Sequence, residues 1–137
     1  MTIGLLFIPL LLILVLIGCQ TASTTTTTTL PSPFAGSCSG PWQDAGLGQQ
    51  GILTVTVGSD GNFTGSITNT TLGMTGSATG TITATGSTSG TFQYTGGGTY
   101  TVSGTVNLSA SGHVTGVLKE YSGATQVGTA TIDLTKI

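Results

Sequence analysis

The sequence predicts an all-β fold: about eight antiparallel strands in an up-and-down meander, closed into a small barrel. An open β-sandwich is the alternative, and a signal helix is expected at the amino terminus. Three observations carry this. From Gly36 onward apolar side chains recur with period two and not 3.6. Short turns rich in glycine separate the segments, so consecutive strands pair antiparallel. No stretch after the amino-terminal segment repeats at helical spacing. A meander of this size has two unpaired edges, and closure removes them.

A first strand is expected around Ser37 to Gln43. In the next, Leu53, Val55 and Val57 share one face and Thr54 and Thr56 the other. Asp60-Gly61 is a hairpin signal, because glycine readily supplies the positive φ of a tight turn. Phe63, Gly65 and Ile67 continue the inner face, followed by Leu72, Met74, Ala78, Ile82 and Ala84. Phe92 and Tyr94 form a short strand before the Gly96-Gly97-Gly98 turn. Tyr100, Val102, Val106 and Leu108 come next, then Val114, Gly116 and Leu118 up to the Ser122-Gly123 turn. Ala130, Ile132 and Leu134 close the series. Gly65, Gly76, Gly80, Gly104 and Gly116 fall at inner positions, where they permit tight coiling and close strand approach.

Of 137 residues only two are Lys or Arg and four are Asp or Glu, far below the usual quarter of a soluble domain. Two lysines cannot neutralise a run of phosphates, which excludes nucleic acid as a partner. Disorder of this charge-poor chain is disfavoured by its regular Val, Ile and Thr alternation. Rows such as Thr79, Thr81, Thr83 and Thr85 are expected on the wet face of strands.

Ile3 to Ile17 is apolar apart from Gly4 and Pro9, and too short for a spanning helix of about 20 residues. It ends in Leu16-Ile17-Gly18-Cys19, which resembles the lipobox of bacterial lipoproteins. The resemblance implies cleavage between Gly18 and Cys19, acylation of Cys19, and a lipid anchor in the bacterial cell envelope with the domain outside the cytoplasm. A short transmembrane anchor and an ordinary cleaved signal are the alternatives. The expected organisation is a signal peptide over 1–18, a lipidated cysteine with a Thr/Pro-rich linker over 19–33, and the barrel domain over 34–137. Thr24 to Thr29 has no apolar face to bury, and Pro31 and Pro33 favour extended backbone, as in a stalk. Cys38 is then a lone, buried thiol; without acylation, a Cys19–Cys38 bridge is the alternative.

Gly40-Pro41-Trp42, the strand Gly51 to Val57, Asp60-Gly61 and Thr64-Gly65 resemble the opening of calycin-type barrels, avidin-like or lipocalin-like. The resemblance covers the first two hairpins and implies that Trp42 plugs a barrel end. It does not carry biotin over, because the chain has no tryptophan beyond Trp42. Gln43 and Asp44 stand where polar ligand residues would follow, and Tyr94, Tyr100 and Tyr121 are the later aromatics with a polar tip.

A catalytic constellation is not legible. His113 is the single histidine and follows a Ser-Gly turn, where an exposed loop position is expected. Asp44 and Asp60 are expected in loops, and Lys119 and Asp133 share the outward parity of a surface ion pair. One histidine and scattered acids do not assemble a metal site, and no cofactor is expected. Asn62, Asn69 and Asn107 each open a glycosylation triplet. The function expected is therefore non-enzymatic: a tethered envelope lipoprotein with a binding or structural role. The alternatives are a calycin-like barrel for a small apolar ligand, and an inhibitor or adhesin acting on a protein through the loops Asp44 to Gln50, Gly86 to Gly90 and Gly96 to Gly98.

Overall fold

The computed structural model describes residues 30–137. The expected signal helix over 1–18, cleavage at Gly18 and Cys19, acylation of Cys19 and most of the 19–33 linker lie outside the described residues.

The described chain forms eight strands: β1 (Gly36–Asp44), β2 (Gln49–Val57), β3 (Asn62–Asn69), β4 (Met74–Ile82), β5 (Ser87–Tyr94), β6 (Thr99–Leu108), β7 (His113–Ser122) and β8 (Thr125–Lys136). Each pairs antiparallel with the next, and β8 pairs with β1, so the sheet is a closed barrel and not an open sandwich. The β1–β8 ladder is broken once. Cys38 faces Lys136 and Ser39 faces Thr135, then pairing resumes at Trp42 and Ile132. The gap falls at Gly40 and Pro41, and proline has no N–H to give to a ladder. The inner glycines bring strands together as expected: a Cβ at Gly65, Gly76, Gly80, Gly104 or Gly116 would strike a backbone carbonyl of the neighbouring strand.

Inward side chains follow the two-residue period. Leu53, Val55, Val57, Phe63, Ile67, Ala78, Ile82, Phe92, Val102, Val106, Val114, Leu118, Ile132 and Leu134 are all buried. Leu72 and Ala84, expected on the inner face, are exposed in turns, because β4 runs only from Met74 to Ile82. The outer face is a belt of hydroxyls paired across strands, as in Ser39 with Thr54 at 2.7 Å and Ser37 with Thr56 at 3.1 Å. Hydroxyls thus supply the polarity that charge supplies elsewhere.

The up-and-down order gives the barrel two distinct ends. Turns 58–61, 83–86 and 109–112 and both ends of the described chain lie at one of them. This end is plugged. Phe34, outside any strand, is only 4% exposed and joins the core formed by the inward side chains. Lys136 holds it there: its Nζ donates to the carbonyls of Pro33 at 3.1 Å and Ala35 at 2.9 Å. Ser32 N–H donates to Ser59 O at 2.8 Å and Ile137 N–H to Ser37 O at 3.0 Å. Between this plug and the middle of the barrel the remaining void is about 30 Å³, lined by side chains such as Cys38, Val55, Phe63 and Val106. That is room for water and not for an organic ligand. Cys38 is buried there as expected, and burial pushes its thiol pKa up, away from the reactive thiolate.

Phe34 therefore belongs to the core despite its place beside the linker. Phe34→Ala is expected to destabilise the domain by about 3–5 kcal/mol in urea unfolding. Ile52→Ala, on the outer face, is expected to change it by less than about 0.5 kcal/mol. Equal effects would mean that Phe34 does not plug the barrel.

Candidate functional site

Turns 45–48, 70–73, 95–98 and 123–124 surround the other end. Here the inner-face period continues but its chemistry changes. One step beyond Trp42 comes Asp44, beyond Ile67 comes Asn69, beyond Phe92 comes Tyr94 and beyond Leu118 comes Glu120. Gln49 precedes Gly51 on β2, and Tyr100 precedes Val102 on β6. All six point inward at the strand ends: Gln49, Tyr94, Tyr100 and Glu120 line a mouth of about 260 Å³, while Asp44 and Asn69 are fully buried beside it.

Trp42 is the floor. It is buried, and its indole Nε1–H crosses β2 to donate to Thr68 O on β3 at 3.1 Å. The crossing needs Gly51, where a Cβ would sit 2.7 Å from Nε1 and collide with the Thr68 carbonyl. Trp42 lies at a barrel end, but that end is the open one; the end that is plugged is closed by Phe34. Of the two polar residues after Trp42, Gln43 points outward and is exposed, while Asp44 points inward.

Asp44 is not the loop residue expected from sequence. It ends β1, is 1% exposed, and both carboxylate oxygens are engaged. Oδ1 accepts from Leu47 N–H at 2.9 Å and Oδ2 from Thr129 N–H at 2.9 Å, tying the first mouth turn to β8. Asn69 plays the matching part on β3. It is fully buried, donates to Gln49 Oε1 at 2.7 Å and accepts from Leu72 N–H at 3.0 Å. An asparagine so enclosed cannot carry a glycan in the folded domain, whereas Asn62 and Asn107 are exposed.

Glu120 differs from these two. No hydrogen bond to its carboxyl forms among the described residues, and burial together with the nearby charge of Asp44 pushes its pKa up to about 6. It lies beside the one irregularity of the β7–β8 ladder, at Glu120/Tyr121, where a bulge re-aims side chains. Both carboxyls converge on Gly128. A Cβ there would lie 3.1 Å from Glu120 Oε2 and collide with Asp44 Oδ2. Tyr94 and Tyr100 stand next to them as an edge-to-face pair, ring centroids 6.1 Å apart at 72°. Burial, reinforced by the charge of Glu120, drives the Tyr94 hydroxyl up to about 12, so it stays a neutral donor. Leu47 and Leu72 form an apolar rim, 48% and 55% exposed.

The other sequence candidates lie elsewhere. Asp60 is in the β2–β3 turn at the plugged end, where hydrogen bonds from Asn62 hold its carboxyl below the usual range. His113 opens β7 and is not a loop residue. The expected Lys119–Asp133 pair does not form. The β7–β8 register sets Lys119 opposite Thr129, and Asp133 instead bonds His113 Nδ1 at 3.0 Å. Of the three loops singled out, 44–50 and 96–98 ring the mouth and 86–90 lies at the plugged end. Among the described residues no group of three His, Cys, Asp or Glu could hold a metal ion.

Comparison with protein-family models, with curated proteins and with solved structures finds no match. What the mouth can do therefore follows from its geometry. It is a concave cup of mixed apolar and polar lining, a little smaller than the roughly 300–1,000 Å³ of drug-sized pockets. Glu120 has the proton affinity of a general base. Hydroxyls in the lining are those of Ser122, Tyr94 and Tyr100, and His113 lies at the other end of the barrel.

The raised Glu120 pKa has a defined effect on stability. The folded protein holds this proton more tightly than the unfolded chain, whose pKa is near 4.5. Stability from this group is therefore full below pH 4.5, falls as pH rises through about 6, and is flat above. Discounted for the half-exposed position, the loss is about 1 kcal/mol. Glu120→Gln is expected to be about 1 kcal/mol more stable than wild type at pH 7.5 and indistinguishable from it at pH 4 in urea unfolding. A difference of the same size at both pH values would contradict the assignment.

Proposed function

We propose that this chain is a non-enzymatic lipoprotein of the bacterial cell envelope, anchored through acylated Cys19, whose barrel holds a small ligand in its open mouth. The observation that carries the proposal is the opposite placement of tether and mouth. The linker meets the barrel at the plugged end, where Lys136, Ser59 and Ser37 hold residues 32–37 and the last residue of the chain. The mouth opens at the far end. A domain tethered this way turns its mouth away from the membrane, and the Thr/Pro-rich stretch supplies the distance. Two or three acyl chains on one cysteine anchor stably where a single chain does not.

Binding of a small ligand is favoured over an adhesin acting through loops. The two loops at the mouth border a concave cup, and the third candidate loop is at the other end.

In the native host, wild-type protein is expected in the membrane fraction with an amino-terminal peptide carrying a diacylglyceryl Cys19. Cys19→Ala is expected to leave the membrane while keeping its β-sheet circular dichroism. A variant that stays membrane-bound would overturn the anchor.

A further inference from the structure

The mouth has aromatic and carboxyl groups in one cup and no positive charge to balance them. Its lining includes Trp42, Tyr94, Tyr100 and one acid, Glu120; behind that lining the buried Asp44 approaches Glu120 at Gly128. The chain has two basic side chains in all, apart from His113. Lys119 is exposed on the outer face of β7, and Lys136 is bound to backbone carbonyls at the plugged end. His113 pairs with Asp133 at that same end. The two acids are not equivalent. Asp44 has both oxygens occupied by N–H donors and is explained by the fold. Glu120 is half-buried, has no hydrogen-bond donor among the described residues and faces another carboxylate. Nothing in the described fold uses it.

We propose that the mouth takes a small organic cation, an amine or quaternary ammonium group on an apolar or aromatic body, with Glu120 as its counter-ion and Tyr94 and Tyr100 as its π-faces. The inference rests on the mouth being a ligand site and adds the ligand's charge class. Two carboxylates repel an anion. A neutral guest leaves the Glu120 charge desolvated and unpaired. A cation supplies the missing charge, and its attraction to aromatic faces strengthens as water is displaced. The cup's volume and apolar rim suit a body about the size of one aromatic ring. The titratable groups facing Glu120 are Asp44 from β1, Tyr94 from β5 and Tyr100 from β6; β8 presents only Val127 and Gly128. Cation binding should therefore follow ionisation of Glu120, weakening as pH falls through about 6.

The test uses benzyltrimethylammonium, whose charge is independent of pH, with neutral benzyl alcohol and anionic phenylacetate as matched probes. Each is titrated into the protein while the ring resonances of Tyr94, Tyr100 and Trp42 are followed by NMR. The expected result is that the cation binds at least tenfold tighter than either partner. Glu120→Gln should weaken it at least fivefold, and lowering pH from 7.5 to 5 should weaken it in wild type but not in the variant. Benzyl alcohol or phenylacetate binding as tightly as the cation, or a cation affinity unchanged in Glu120→Gln, would overturn the cation and leave the mouth as a site for another class. Absence of ring shifts with all three probes would overturn both.

Discussion

Eight short strands closed on themselves leave an interior only about one layer of side chains deep, and the β1–β8 seam is what imposes that closure. Because the seam closes, no strand edge remains to recruit another chain, which matters for a protein with so little charge to keep it apart from its copies. Because the barrel is narrow, inner positions alternate between filling side chains and glycines over which neighbouring backbones pass. A large enclosed ligand is excluded by the same geometry: the middle is filled, and only an end can open.

Which end opens is decided by the residues that continue the inner stripe. Toward the chain termini the stripe stays mostly apolar and Phe34 finishes it. Toward the other end it turns into Asp44, Gln49, Asn69, Tyr94, Tyr100 and Glu120. Two of these, Asp44 and Asn69, are fully used in holding mouth turns in place, through N–H groups of Leu47, Thr129 and Leu72. Their rigidity fixes the cup in which Glu120 sits without a partner among the described residues. A carboxyl kept half-buried beside another carboxyl lowers stability at neutral pH, and groups perturbed in this way cluster at functional sites.

The strand count, the pairing order and most of the core were legible from the two-residue period, since a buried barrel face leaves no freedom to slip by one residue. The mouth was not. Its signal was in plain view: the same period, carried one step past Trp42, Ile67, Phe92 and Leu118, arrives at polar residues. Asp44 was assigned to a loop because acids near turns usually are solvated, and only the tertiary approach of β8 supplies the Thr129 N–H that lets it be buried. Glu120 does not stand out in the sequence, because the inward parity it shares with Leu118 becomes informative only once β8 brings it together with Asp44 at Gly128. The Lys119–Asp133 pair failed on register, because shared parity does not set which residues stand opposite. Leu72 and Ala84 failed because alternation in the sequence runs on into the turns on either side of β4.

Closure of the seam is the claim on which the plug, the filled core and the mouth all depend. It is tested most directly by cross-strand NOEs and amide hydrogen exchange along β1 and β8. The account predicts NOEs joining Trp42 to Ile132 and Ser39 to Thr135, with amide protection comparable to that of the β6–β7 pair. Protected amides in β2 to β7, combined with rapid exchange and no NOEs between β1 and β8, would describe an open sheet and contradict it.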